Sequence, residues 1–146
     1  MDVIKYPYSK YQIWYISIIS FLPMLGFPVM MLATNTADRA AWMGVGLGFL
    51  TTCGMLTYLI HKYILPLRRG EIALELDNEK LQYFIGNKTV YWKDILYMDF
   101  ASSKNGGIFI RFALEHGVDI NISTRFVAGK DSEIYQTITA YFEKYK

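Results

Sequence analysis

The residues able to do chemistry in this 146-residue chain are few and scattered. Four acids, Glu71, Glu75, Asp77 and Glu79, cluster around what reads as a β-hairpin. Carboxylates so placed can hold a divalent cation, but acids alternating along a strand are more simply its solvent face. His61 sits at the edge of an apolar run and His116 in the turn Glu115-His116-Gly117, too far apart for a metal-ligand set. The single Cys53 lies inside an apolar run, which excludes an intrachain disulfide and a cysteine-built zinc site. Gly44-Val45-Gly46-Leu47-Gly48 has the composition of a phosphate loop without its context, a strand-to-helix turn whose amides could cradle a phosphate. No nucleophile stands beside a base, so the reading is of a protein with no catalytic residue, no metal and no cofactor.

The elements that position these residues are dominated by two apolar runs. No Asp, Glu, Lys or Arg occurs from Tyr11 to Ala37, and none from Ala40 to Ile60. As helices, each run is long enough to cross a hydrocarbon core of roughly 30 Å. Spans are expected from Gln12 to Ala33 and from Ala41 to about Ile60, joined by a turn at Thr34 to Ala40. Lys5 and Lys10 before the first run allow a signal peptide to be considered, but the run is too long for one and carries Pro23 and Pro28. Those prolines each remove a helix donor and predict a kinked first span. The expected division is a cytosolic N-terminal segment over residues 1–11, a two-helix transmembrane hairpin with a basic exit over 12–67, and a cytosolic domain over 68–146.

Charge sets the orientation. Residues 1–70 carry six Lys/Arg against two acids, and residues 71–146 carry nine against eleven. The basic excess therefore flanks the apolar runs, through Lys5, Lys10, Lys62, Arg68 and Arg69, which predicts both termini in the cytosol. Lys62, Arg68 and Arg69 are the candidate membrane-surface contacts. The mildly acidic remainder argues against nucleic acid as a partner. Gly44 and Gly48 share a face of the second span, with Gly26 of the first as a plausible neighbour; such a face serves hairpin packing, homodimerisation or docking on a membrane partner. The spans hold no buried ionisable residue of the kind that marks an ion pathway.

From Glu71 the period changes to two. Strands are expected at Ile72 to Leu76, Leu81 to Ile85, Lys88 to Trp92, Asp94 to Ala101, Ile108 to Leu114 and Val118 to Ser123, with Asp77-Asn78 and Gly86-Asn87 as turns. Asp99 falls on the same alternating face as Ile95 and Tyr97, and Trp92 reads as a core anchor. Asp131 or Ser132 can cap a closing helix whose stripe, Ile134, Ile138, Tyr141 or Phe142, and Tyr145, packs on the sheet. The fold class is thus a membrane α-helical hairpin plus α+β, an antiparallel meander of six to seven strands capped by one C-terminal helix.

A strand meander closed by one helix is similar to the pleckstrin-homology-like superfold. Trp92-Lys93-Asp94-Ile95 resembles the W-x-D-I signature of small bacterial two-span membrane proteins of the YcxB-like type, and the stretch from Ile120 to Thr137 resembles their closing strand, loop and helix. A full pleckstrin-homology fold has seven strands; the seventh would fall near Thr124 to Ala128 or be missing. What the anchor and the resemblance imply is a non-catalytic inner-membrane protein whose cytosolic domain binds a protein partner or the membrane surface. Membrane lipids, a protein partner and a homo-oligomer are the expected partners, and a membrane-anchored immunity protein against an antibacterial toxin is the alternative. Lys88, Lys93, Lys104, Arg111, Arg125 and Lys130 could converge on anionic headgroups, but their scatter among acids reads as ordinary surface charge.

Overall fold

The apolar runs form α1 (Lys10–Ala33) and α2 (Arg39–Leu59), and α2 continues through a π-turn (Ile60–Ile64) into one last helical turn, α3 (Leu65–Arg68). The computed structural model describes residues 3–33, 39–102 and 108–146, so the expected turn at Thr34 to Ala40 and the Ser/Gly loop before Ile108 lie largely outside the described residues. Both helices are long and apolar enough to cross a membrane. Pro23 and Pro28 lie within α1. Helical hydroxyls are satisfied locally: Ser17 donates to the Ile13 carbonyl at 2.7 Å, and Thr52 and Thr57 donate one turn back at 2.8 and 2.9 Å. Polar side chains can therefore sit in apolar helices without an unmet hydrogen bond. Along α1 the covered positions are Ile13, Ser17 and Ser20, then half-buried Met24 and Phe27, alternating by four and three as a helix-packing seam does. Phe27 meets Phe49 of α2 edge-on, with centroids 5.4 Å apart.

The described residues before Tyr11 and those from Pro66 onward make a separate unit from the helices. It contains seven strands in two antiparallel sheets and one helix. The first sheet has the order β1 (Ile4–Pro7), β2 (Ile72–Leu76), β3 (Lys80–Tyr83), β4 (Lys88–Tyr91); the second has the order β5 (Ile95–Ser102), β6 (Ile108–Leu114), β7 (Ile120–Ser123). A short 3₁₀ turn, Trp92–Asp94, passes the chain from one sheet to the other, and α4 (Asp131–Tyr145) closes the unit. This is an α+β fold accompanied by two apolar helices.

Alternation explains the core. Leu74, Leu76, Leu81 and Val90 of the first sheet and Ile110, Phe112 and Ile122 of the second are buried, as are Ile134, Ile138 and Tyr141 of α4. Trp92 is fully buried at the junction; its indole N–H donates to the Asp77 carbonyl at 2.8 Å, and its ring lies 6.1 Å from that of Tyr141. The expected anchor role of Trp92 and the expected stripe of α4 are both present in these contacts.

Four local expectations change. The seventh strand comes from Ile4–Pro7, ahead of the helices, while Val127 makes only an isolated bridge with Tyr8. Pro7 is tolerated because β1 is an edge strand and Pro7 stands at its end, after a register shift. The Gly86-Asn87 turn spans four residues, because β3 stops at Tyr83, which pairs with Lys88; Asn87 adopts a left-handed φ of 49° and Gly86 lies under the Tyr83 ring. A bulge between Ile95 and Tyr97 separates the face that the sequence pattern assigns jointly to Ile95, Tyr97 and Asp99: Ile95 is buried while Tyr97 and Asp99 are exposed. Asp131 does not cap α4, whose N-cap is Lys130; its carboxylate instead accepts from the Thr124 hydroxyl at 2.5 Å, and Thr124 Oγ1 accepts from the Ile108 N–H at 2.9 Å.

Replacing Trp92 with Ala empties the largest core position and leaves the Asp77 carbonyl without its donor. The expected loss is about 3–5 kcal/mol, read as a lowered unfolding midpoint of the full-length protein in detergent. A midpoint unchanged from the parent would refute the anchor role.

Candidate functional site

Three of the four acids clustered at the first hairpin have separate partners. Glu71 pairs with Arg69 at 3.6 Å, Glu75 pairs with Lys5 across β1 and β2 at 3.6 Å, and Asp77 Oδ1 accepts the N–H groups of Glu79 and Lys80, both at 2.8 Å. Lys5, counted in the basic flank by sequence, is thus also a cross-strand partner. Among the described residues no group of three or more His, Cys, Asp or Glu side chains could hold a metal ion. His61 lies in the π-turn and His116 in the turn after β6, both exposed. Of the scattered basic residues, Lys88 donates to the Asn121 carbonyl at 2.6 Å, Lys130 pairs with Glu133 at 3.3 Å, and Arg125 lies over the Phe126 ring at 5.6 Å. Each is held by its own neighbourhood, and Lys104 lies outside the described residues.

The three glycines do not behave as one face. A Cβ on Gly48 would stand 3.4 Å from the Phe27 ring, so Gly48 supplies the close approach of the two helices. A Cβ on Gly26 or Gly44 would meet nothing within 4 Å in this chain. The expected pairing of Gly26 with the second-span glycines is absent, because Phe27, one position on, fills the space against Gly48. Near Phe27 and Phe49 the helices enclose an apolar groove of about 330 Å³, also lined by Met24, Pro28, Trp42 and Val45. On the basic flank, Lys62 lies in the π-turn over Tyr58 and Tyr63, Arg68 ends α3, and Arg69 turns to Glu71.

The surface that sequence analysis did not single out is the outward face of the second sheet. Inward residues Ile110, Phe112 and Ile122 are buried, so alternation turns Phe109, Arg111 and Asn121 outward, joined by Tyr97, Asp99 and Ala101 of β5. Tyr97 is 54% and Phe109 48% exposed. Between these aromatic residues Arg111 stands directly across from Asp99 on β5 and Asn121 on β7. The Asp119 carboxylate accepts two hydrogen bonds from the guanidinium, from Nε at 2.8 Å and from Nη2, and this pairing raises the Arg111 pKa above its already high ordinary value. Two carboxylates, Asp99 and Asp119, and a second cation, Lys88 on the Asn121 carbonyl, thus surround the one guanidinium. The face carries exposed aromatic rings around a planar donor. The alternation of Phe109 and Arg111 was legible in sequence; the exposure of Tyr97 was not, because it depends on the bulge.

Two experiments follow from this geometry. Gly48→Leu is expected to lower the unfolding midpoint in detergent, by about 1–3 kcal/mol for an overpacked contact, whereas Gly44→Leu is expected to leave the isolated chain unchanged; equal effects would refute the assignment. Replacing Tyr97 and Phe109 together with Ala is expected to change stability by no more than about 0.5 kcal/mol per site, as at exposed positions generally. A large drop in the midpoint would instead make these rings part of the packing. No protein-family model, curated protein or solved structure matches the chain.

Proposed function

We propose that this chain is a non-catalytic, two-span protein of a bacterial inner membrane, with both termini in the cytosol and a pleckstrin-homology-like domain that binds a protein partner. Support for the membrane begins with burial. Only 11% of the apolar stretch of each helix is covered, whereas the core helix of a soluble protein is mostly covered. Residues such as Leu22, Leu25, Leu32, Leu47 and Leu50 therefore face outward, and each costs roughly 1.5–3 kcal/mol in water relative to an apolar surrounding.

Support for a shared side comes from the sheet. β1 precedes α1, β2 follows α3, and the two strands pair. Two spans that begin and end in one sheet must return the chain to the side it left, which agrees with the charge bias of Lys10, Lys62, Arg68 and Arg69. Such cations favour a position of the domain near anionic lipid. The division of seven strands into four and three, closed by α4, supports the pleckstrin-homology-like reading and with it the resemblance to YcxB-like proteins.

The observation that carries the partner reading is the outward face of the second sheet, where Tyr97 and Phe109 flank the Arg111 to Asp119 pair. Affinity purification of the tagged full-length protein from its own membranes tests it. A stoichiometric partner is expected, lost on combined Tyr97→Ala and Phe109→Ala replacement and kept by Gly44→Leu; retention in the first and loss in the second would move the interface to the spans. A toxin found in that position would make the chain an immunity protein. For topology, a reporter fused after Lys146 is expected to be active only in its cytosol-dependent form, and activity of a periplasm-dependent reporter would refute the orientation.

A further inference from the structure

The continuous helix from Arg39 to Arg68 departs from α-geometry at the π-turn, where the Leu65 N–H bonds back to the Ile60 carbonyl. Such turns are rare and recur at functional sites. The consequence here is side-chain placement. In a regular α-helix, residues five apart point about 140° away from one another. The widened turn absorbs much of that angle, and Tyr58 and Tyr63 meet edge-to-face, centroids 6.4 Å apart with planes at 78°. Lys62 lies over both rings, its Nζ 5.1 Å from the Tyr58 centroid and 5.9 Å from that of Tyr63, and it donates to the Tyr58 hydroxyl oxygen at 2.6 Å.

A phenol that accepts from an ammonium has its own O–H polarised, so Tyr58 is a strengthened donor standing beside a full positive charge. Tyr58 is more than half exposed. The complement to such a site is an anion with several acceptor oxygens. Depth selects which one: Lys62 lies about 34 Å along the helix from Arg39, just beyond a hydrocarbon core of roughly 30 Å, at the level of lipid phosphates.

We infer that Tyr58 and Lys62 form a site for the phosphodiester of an anionic phospholipid, Tyr58 donating its hydroxyl proton, Lys62 supplying the charge and Tyr63 holding Lys62 in place. This rests on the membrane reading above. The test uses the full-length protein in mild detergent, analysed by native mass spectrometry with phosphatidylglycerol or phosphatidylcholine added. Phosphatidylglycerol is expected to be retained about fivefold over phosphatidylcholine, the factor that one basic residue contributes at an anionic surface. Tyr58→Phe, which keeps the ring and removes the donor, and Lys62→Gln should each abolish most of that preference, while Lys62→Arg should preserve it. Equal retention of the two lipids by the parent protein, or a preference untouched by Tyr58→Phe and Lys62→Gln, overturns the site. Competition with inorganic phosphate separates the sources of the anion: persistence of the lipid adduct assigns the site to the headgroup, and displacement assigns it to free phosphate and overturns the lipid assignment. Alkaline carbonate extraction separates the two readings. Release from native membranes overturns membrane insertion and the site together, whereas retention with no lipid preference overturns the site alone.

Discussion

The pairing of β1 with β2 is the contact on which the rest of the architecture depends. Ile4 pairs with Leu76 and Pro7 with Ile72, so strands separated in sequence by the whole helical hairpin are neighbours in one sheet. The apolar helices thus lie in sequence between the first and second strands of one sheet. Two consequences are physical. The β2 edge is covered by a short strand that ends in Pro7, a poor template for further pairing, which is how a sheet edge is kept from recruiting another chain. A pairing this distant in sequence also carries a large closure cost if its loop is coil. Here most of the intervening chain is helix, so fewer loop residues retain coil freedom.

Around that sheet the domain is organised by its crossing point. Trp92 sits where the chain passes from the first sheet to the second, and its indole N–H takes the carbonyl of Asp77, the residue that also turns β2 into β3. One carbonyl therefore ties a hairpin to the sheet crossing, and Tyr141 brings α4 onto the same ring. At the opposite end of α4, Asp131 joins Thr124, and Thr124 joins the start of β6.

The electrostatics are local throughout. Lys5 with Glu75, Arg69 with Glu71, Lys130 with Glu133 and Arg111 with Asp119 are all short-range pairs, and exposed pairs of this kind contribute little stability each. The Arg111 guanidinium becomes a fixed donor between two aromatic rings, which suits shape-specific contact. Basic character is kept where the apolar helices end, at Lys10, Lys62 and Arg68.

Sequence alone was sufficient for the two apolar helices, for six of the seven strands, for α4 with its Ile134 and Ile138 stripe, and for Trp92 as an anchor, because each is written in local period, composition or burial preference. It carried β1 only faintly, as Ile4, Tyr6 and Tyr8 alternating with Lys5 and Pro7, too short a run to outweigh its place beside a long apolar helix. Tertiary structure alone decided the rest. A strand's partner, the bulge that turns Tyr97 outward, the choice of Gly48 over Gly26 and Gly44 as the point of close approach, and the ring pair around Lys62 all depend on registers between distant segments or on one extra residue in a turn. Periodicity reports which face of an element is apolar; it does not report what that face meets.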